Sequence, residues 1–157
     1  MHKAGFVTIL GNPNVGKSTL MNELIGERIS IITPKVQTTR HRILGVISDI
    51  DYQIVFSDTP GVITPHHDLH EVMMNSVKNS LEDADLILYM VDCSKEDLKD
   101  KTLLEKIQSF KVPLILLINK IDLIQQREVQ LLLKYWSEKI PKGSLIPISA
   151  LKSFNIE

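Results

Sequence analysis

Residues 11–18 read GNPNVGKS, and that order of residue types suits one task, holding a chain of phosphates. A loop of Gly11, Asn12, Pro13, Asn14, Val15 and Gly16 can turn its backbone N–H groups, and the start of a following helix, toward anionic oxygens. A side chain at Gly16 would obstruct the close approach. Lys17 adds a point charge for the β- and γ-phosphates, Ser18 a hydroxyl for Mg²⁺, and Thr19 a hydroxyl for the α-phosphate. The loop alone does not separate adenine from guanine nucleotides.

The discriminating residues are NKID at 119–122. The Asp122 carboxylate can accept from both guanine N1–H and the exocyclic amine, two donors that adenine lacks in that place. An unmatched buried carboxylate is costly, so selection follows from the mismatch. The Lys120 stem can pack along the base, and the Asn119 amide can tie this turn to the phosphate loop. A second turn, Ser149, Ala150, Leu151 and Lys152, is expected to offer the Ala150 backbone N–H to guanine O6. Either turn in isolation is a commonplace polar turn; their order after a phosphate loop carries the reading.

Asp58, Thr59, Pro60 and Gly61 supply the metal end of the site. Asp58 is expected to hold Mg²⁺ through water, and the Gly61 N–H to meet the γ-phosphate. Residues 62–67 then read as a segment whose position depends on that phosphate. Residues 28–42 show little regular pattern beyond a β-branched run at 29–33, and so long a connection in a compact domain is usually functional. A threonine from it must reach the Mg²⁺ of a bound triphosphate, and Thr39 is favoured over Thr38. Lys35, Arg40, His41 and Arg42 form a basic cluster, either a solvated loop or a contact for phosphate or RNA. His66, His67 and His70 have no cysteine partner and read as solvated loop residues rather than a metal site.

These motifs need a frame that brings strand ends together. Short apolar runs at 5–10, 85–91, 113–118 and 145–148 alternate with helical stretches, the rhythm of an α/β domain with a mainly parallel sheet. Residues 43–48 and 52–57 flank a turn at 49–51 and read as an antiparallel pair at the sheet edge. Helices are expected at 17–26, 69–82, 100–110 and 125–139, with Gly26 capping the first. Ligands bind outside the carboxyl ends of such strands, which is where GNPNVGKS, DTPG, NKID and SALK all fall.

A chain of 157 residues, 43% hydrophobic, can enclose one sizeable core and is short for two domains. Nineteen acidic against 18 basic residues give no whole-chain case for binding nucleic acid or a membrane surface. Cys93 stands alone and reads as an inert core thiol in a reducing compartment. The sequence contains neither an apolar run of membrane-spanning length nor a signal-peptide pattern at MHKAGFVTIL, so a soluble cytoplasmic protein is expected. The last residues, SALKSFNIE, fall where a closing helix is expected to begin, which would leave an apolar sheet face uncovered.

In order, GNPNVGKS, the threonine-containing loop, DTPG, NKID and SALK resemble the translation-factor-like class of P-loop GTPases, and QTTRHRI at 37–43 resembles the Era family within it. The resemblance implies a Ras-like fold over residues 1–157, with helices on both faces of a mainly parallel sheet, one antiparallel edge strand and an incomplete last helix. It implies Mg²⁺-dependent hydrolysis of GTP to GDP, with Lys17, Thr39, Gly61 and Asn14 in the catalytic set. It also implies work on the small ribosomal subunit and its 16S rRNA in the full-length protein, through a KH domain that these residues lack. Val62 follows DTPG where many GTPases place a water-orienting glutamine, a replacement the family shares. Asn14 matches the asparagine that holds K⁺ in related potassium-activated GTPases, with the Thr33 and Lys35 carbonyls completing the shell; the alternative is that Asn14 merely stabilises its turn. The competing functions are a nucleotide-gated binding module with negligible turnover and an ATP-using enzyme, the latter disfavoured by NKID and SALK.

Overall fold

The computed structural model describes residues 2–32, 39, 41–61, 68–94, 105, 108–141 and 143–156. Six strands form one sheet in the order β2-β3-β1-β4-β5-β6. They are β1 Lys3–Gly11, β2 Ile43–Ser48, β3 Tyr52–Asp58, β4 Leu86–Asp92, β5 Leu114–Asn119 and β6 Ser144–Pro147. Only the β2·β3 pair is antiparallel. The expected α/β sheet with an antiparallel edge strand therefore forms.

Strand boundaries move by a few residues at most. β1 begins at Lys3 rather than residue 5 because its first residues pair with β3, Lys3 opposite Tyr52 and Ala4 opposite Gln53. The described helices are α1 Lys17–Ile25, α2 Asp68–Glu82 and α3 Gln126–Lys139. Gly26 caps α1, its N–H bonded to the Asn22 carbonyl. Gln125 and Glu128 form a reciprocal capping box at the start of α3. Most of the helix expected at 100–110 lies outside the described residues, as do residues 62–67, Thr33, Lys35, Thr38 and Arg40.

Central strands are apolar on both sides because each sheet face is covered. On one, Leu10, Tyr89, Leu116 and Ile118 pack with Val77 of α2 and with Leu132 and Trp136 of α3. On the other, Ile9, Leu88, Leu117 and Ile148 pack with Leu20 and Met21 of α1. Truncating Trp136, 1% exposed, removes the largest of these side chains and costs about 3–5 kcal/mol. Val7, Ile54, Leu86, Ile115 and Ile146 remain partly exposed on that second face.

Strand order reverses at β1, which has β3 on one side and β4 on the other. That reversal opens a crevice beyond the carboxyl end of β1. The register sets Asp58 opposite Ile9, Met90 opposite Gly11 and Asn119 opposite Asp92, so the ends of four strands gather around it.

Candidate nucleotide-binding site

The crevice is an open cleft of about 390 Å³. Pro13, Asn14, Gly16, Lys17, Ser18, Thr19, Thr39, Gly61, Asn119, Lys120, Asp122, Ala150 and Leu151, all singled out from the sequence, line it. Gly11, Asn12, Val15, Asp58 and Ser149 are not among its lining residues and act on it through neighbours: Gly11 and Asn12 through Lys17, Val15 through Asn119, Asp58 through Ser18, and Ser149 through Asp122.

At one end Lys17 is the first residue of α1 and only 6% exposed. Its Nζ donates to the Gly11 carbonyl at 3.2 Å and the Asn12 carbonyl at 2.9 Å, which folds the loop around the ammonium. Burial pulls its pKa down to about 8, against the opposing pull of the Asp58 carboxylate. Asn14 has φ of 63°, a left-handed turn conformation that asparagine tolerates better than most residues. A Cβ added at Gly16 would overlap the Asn119 amide, and one at Gly61 would lie 2.8 Å from Pro13 atoms. Both glycines are therefore required where one loop presses on another.

Ser18 Oγ donates to Asp58 Oδ2 at 2.8 Å and lies 3.1 Å from Thr39 Oγ1. Burial raises the pKa of Asp58, while the Ser18 hydroxyl and the Lys17 charge oppose the rise. Among the described residues, Asp58 Oδ1 and Ser30 Oγ are buried without a hydrogen-bond partner. Hard oxygens of this kind, from a carboxylate and hydroxyls, are the donor set that Mg²⁺ accepts. Among the described residues there is no cluster of three His, Cys, Asp or Glu to compete as a metal site.

The far end is organised by Asn119. Its Nδ2 donates to the Val15 carbonyl at 2.7 Å, and its Oδ1 accepts the Ala150 N–H at 2.9 Å. One buried amide thus clamps the phosphate loop to the turn after β6. The Ala150 N–H, expected from the sequence to meet guanine O6, here donates to Asn119, and Ala150 lines the cleft. Ser149 Oγ donates to Asp122 Oδ1 at 2.6 Å and fixes the carboxylate's direction.

A further correction concerns the basic cluster. Arg42 is neither a solvated cation nor open to phosphate: its Nη1 lies 2.6 Å from Asp83 Oδ2, and its Nε donates to Ser57 Oγ at 2.9 Å. His41 remains exposed. Cys93 is buried, its Sγ donating to the Lys120 carbonyl at 3.2 Å, and burial raises its thiol pKa.

Sequence reasoning missed Ile31, Ile32 and Leu123 as lining residues, whereas Thr59, which also lines the cleft, lies in the DTPG motif already singled out. Ile31 and Leu123, 65% and 70% exposed, give the cleft apolar surface of the kind a planar ring packs against. The β-branched run at 29–33 was the available signal. Asn22 was also missed: its side chain bonds the backbone of Ile29 and Ser30 at 2.8–2.9 Å and sets the course of the loop leaving α1.

Residues 6–120 match the family model described as 50S ribosome-binding GTPase. The chain is 44% identical over 158 aligned positions to GTPase Era of Clostridium beijerinckii, covering all of this chain and 53% of the relative. It is 45% identical to GTPase Era of Clostridium botulinum (strain Eklund 17B), covering 54% of it. The chain thus spans about half the length of the curated relatives it matches. Among solved structures, Era in complex with MgGDPNP and nucleotides 1506–1542 of 16S ribosomal RNA superposes with a TM-score of 0.91 at 42% identity, over 99% of this chain and 54% of that one. An Aquifex aeolicus Era variant bound to GDP·AlF₄⁻ gives 0.90 at 42% identity, over 98% and 54%.

Proposed function

This chain belongs to the 50S ribosome-binding GTPase family and is homologous along its whole length to Era GTPases, and from that premise we propose that it binds and hydrolyses GTP as a molecular switch. The observation that carries the proposal is the Asn119 clamp, which puts the buried Lys17 ammonium and the oriented Asp122 carboxylate in one cleft. A cation at one end and a carboxylate at the other suit a guanine nucleotide, whose N1–H and neighbouring amine can both donate to one carboxylate, a donor pair that adenine lacks.

In this reading Lys17 and the loop amides hold the β- and γ-phosphates, Thr19 the α-phosphate, and Asp122 the base edge, with Asn119 and Ser149 keeping the two ends in place. Ser18 and Thr39 would be the direct ligands of Mg²⁺, with Asp58 holding it through water, and the ion would supply positive charge against the phosphate oxygens. Hydrolysis makes a bond from water oxygen to the γ-phosphorus and breaks the bond to the bridging oxygen, leaving GDP and phosphate. Lys17 and the Gly61 N–H stabilise charge in that step. Asn14 would contribute its side-chain oxygen to a K⁺ held beside the phosphates. Its left-handed φ also suits a turn-forming role, so the cation dependence of turnover decides.

Residues 1–157 act as one nucleotide-binding domain, and in the whole protein the RNA partner is small-subunit ribosomal RNA. The solved complex of the Era relative with 16S rRNA nucleotides supports that partner. No helix among the described residues is long and apolar enough to cross a membrane, and the cytoplasm is the compartment of the proposed ribosomal work. A titration of GDP, GTP and ATP against the chain tests the proposal. Micromolar or tighter GDP and GTP binding with ATP at least a hundredfold weaker is expected; comparable ATP affinity would sink it.

A further inference from the structure

The end of β4 is built against the guanine-side turn at three points. Cys93 N donates to the Asn119 carbonyl at 3.0 Å, Cys93 Sγ donates to the Lys120 carbonyl at 3.2 Å, and Asp92 Oδ2 lies 2.5 Å from Lys120 Nζ. The other Asp92 oxygen accepts the Ser94 N–H at 2.8 Å, so the carboxylate is held from behind. Lys120 has φ of 65°, in the left-handed region, and the contacts from β4 brace that strained backbone.

Both side chains of the pair are largely shielded, 33% exposed for Lys120 and 19% for Asp92. Lys120 also lines the cleft, whereas Asp92 does not. With its ammonium tied back to Asp92, the part of Lys120 presented to a ring is the methylene stem. A free lysine stem samples many rotamers and would lose that freedom on each binding event. We propose that Asp92 is a positioning residue for the guanine base, holding the Lys120 stem in place as a preformed wall of the base slot. The inference rests on the guanine-nucleotide reading of the cleft and adds to it a residue that touches neither base nor phosphate.

GDP and GTP dissociation constants of the wild-type chain, Asp92→Asn, Lys120→Met and the double variant test it. Asn is isosteric and keeps an oxygen for the Ser94 N–H, while Met keeps an apolar stem without the charge. Asp92→Asn should weaken GDP and GTP by the same factor, about fivefold, because the base is common to both. In the Lys120→Met background the same substitution should change nothing. Magnesium pyrophosphate, which has no base, should bind wild type and Asp92→Asn alike, whereas general loosening of the domain would weaken it too. Wild-type GDP affinity in Asp92→Asn, or an undiminished effect in the Lys120→Met background, would overturn this inference alone. Failure of the unsubstituted chain to bind GDP or GTP would overturn it together with the reading on which it rests.

Discussion

Arg42 and Asp83, 41 residues apart in sequence, meet at 2.6 Å and fasten the loop entering β2 to the end of α2. The Arg42 guanidinium also lies 6.0 Å from the Phe6 ring centroid and bonds Ser57, so it spans three elements. Asp83 is half exposed, and solvent screening limits what the pair contributes. Arg42→Ala should destabilise the chain by about 1 kcal/mol in urea unfolding, largely through lost packing and the Ser57 bond. Asp83→Asn should cost less. A larger loss from Asp83→Asn than from Arg42→Ala would show that the charge pair dominates instead.

Asp122→Asn should weaken GTP and GDP binding and admit xanthine nucleotides, whose base presents an acceptor where guanine has its amine. Competition binding with xanthosine diphosphate measures the exchange; unchanged guanine preference would remove Asp122 from the site. Ser149→Ala, which leaves the carboxylate without its 2.6 Å donor, should weaken GDP by about 1 kcal/mol in the same assay.

Lys17 is buried, and burial brings its pKa down to about 8 because desolvating the ammonium outweighs the attraction of the Asp58 carboxylate. Lys17→Met should therefore stabilise the nucleotide-free chain, by about 1–3 kcal/mol, while abolishing tight triphosphate binding. The sign with pH follows. The folded pKa lies below the unfolded one, so the unfolded chain binds more protons between about pH 8 and 10.5, and the Lys17 contribution to stability rises with pH across that window. Denaturation midpoints with and without GDP separate the two effects; a destabilised nucleotide-free Lys17→Met would contradict the assignment.

Potassium dependence is the decisive experiment for Asn14. Turnover in K⁺ should exceed that in Na⁺ at matched ionic strength, and Asn14→Ala should erase the difference while leaving GDP affinity within about threefold. Equal rates for the wild-type chain in the two salts would leave Asn14 as a turn residue, the role its φ of 63° already suits.

What was legible in the sequence was whatever local chemistry dictates. Apolar runs bounded by turn residues marked β4 and β5, and the Gly, Lys and Ser types of residues 11–18 marked the phosphate loop, because neither depends on distant partners. Tertiary pairings were hidden. Nothing in the spacing said that Asp83 would take Arg42 out of the basic cluster, that Asn119 would occupy the Ala150 N–H, or that Asp92 would hold Lys120. Ile31 and Ile32 escaped notice for a related reason: a β-branched pair in an irregular segment reads as strand-forming until the fold places it beside a cleft.

The bond from Asn119 to Val15 closes a span of 104 residues. A growing chain emits the phosphate loop early, but the residue that locks it follows only after β4 and β5 have been made and paired. Contacts of such sequence separation form late, since the intervening chain must first give up its freedom. On the proposed reading, a guanine nucleotide, which needs Asp122 as well as the phosphate loop, would find its whole site only once β5 has joined the sheet and Asn119 has reached Val15.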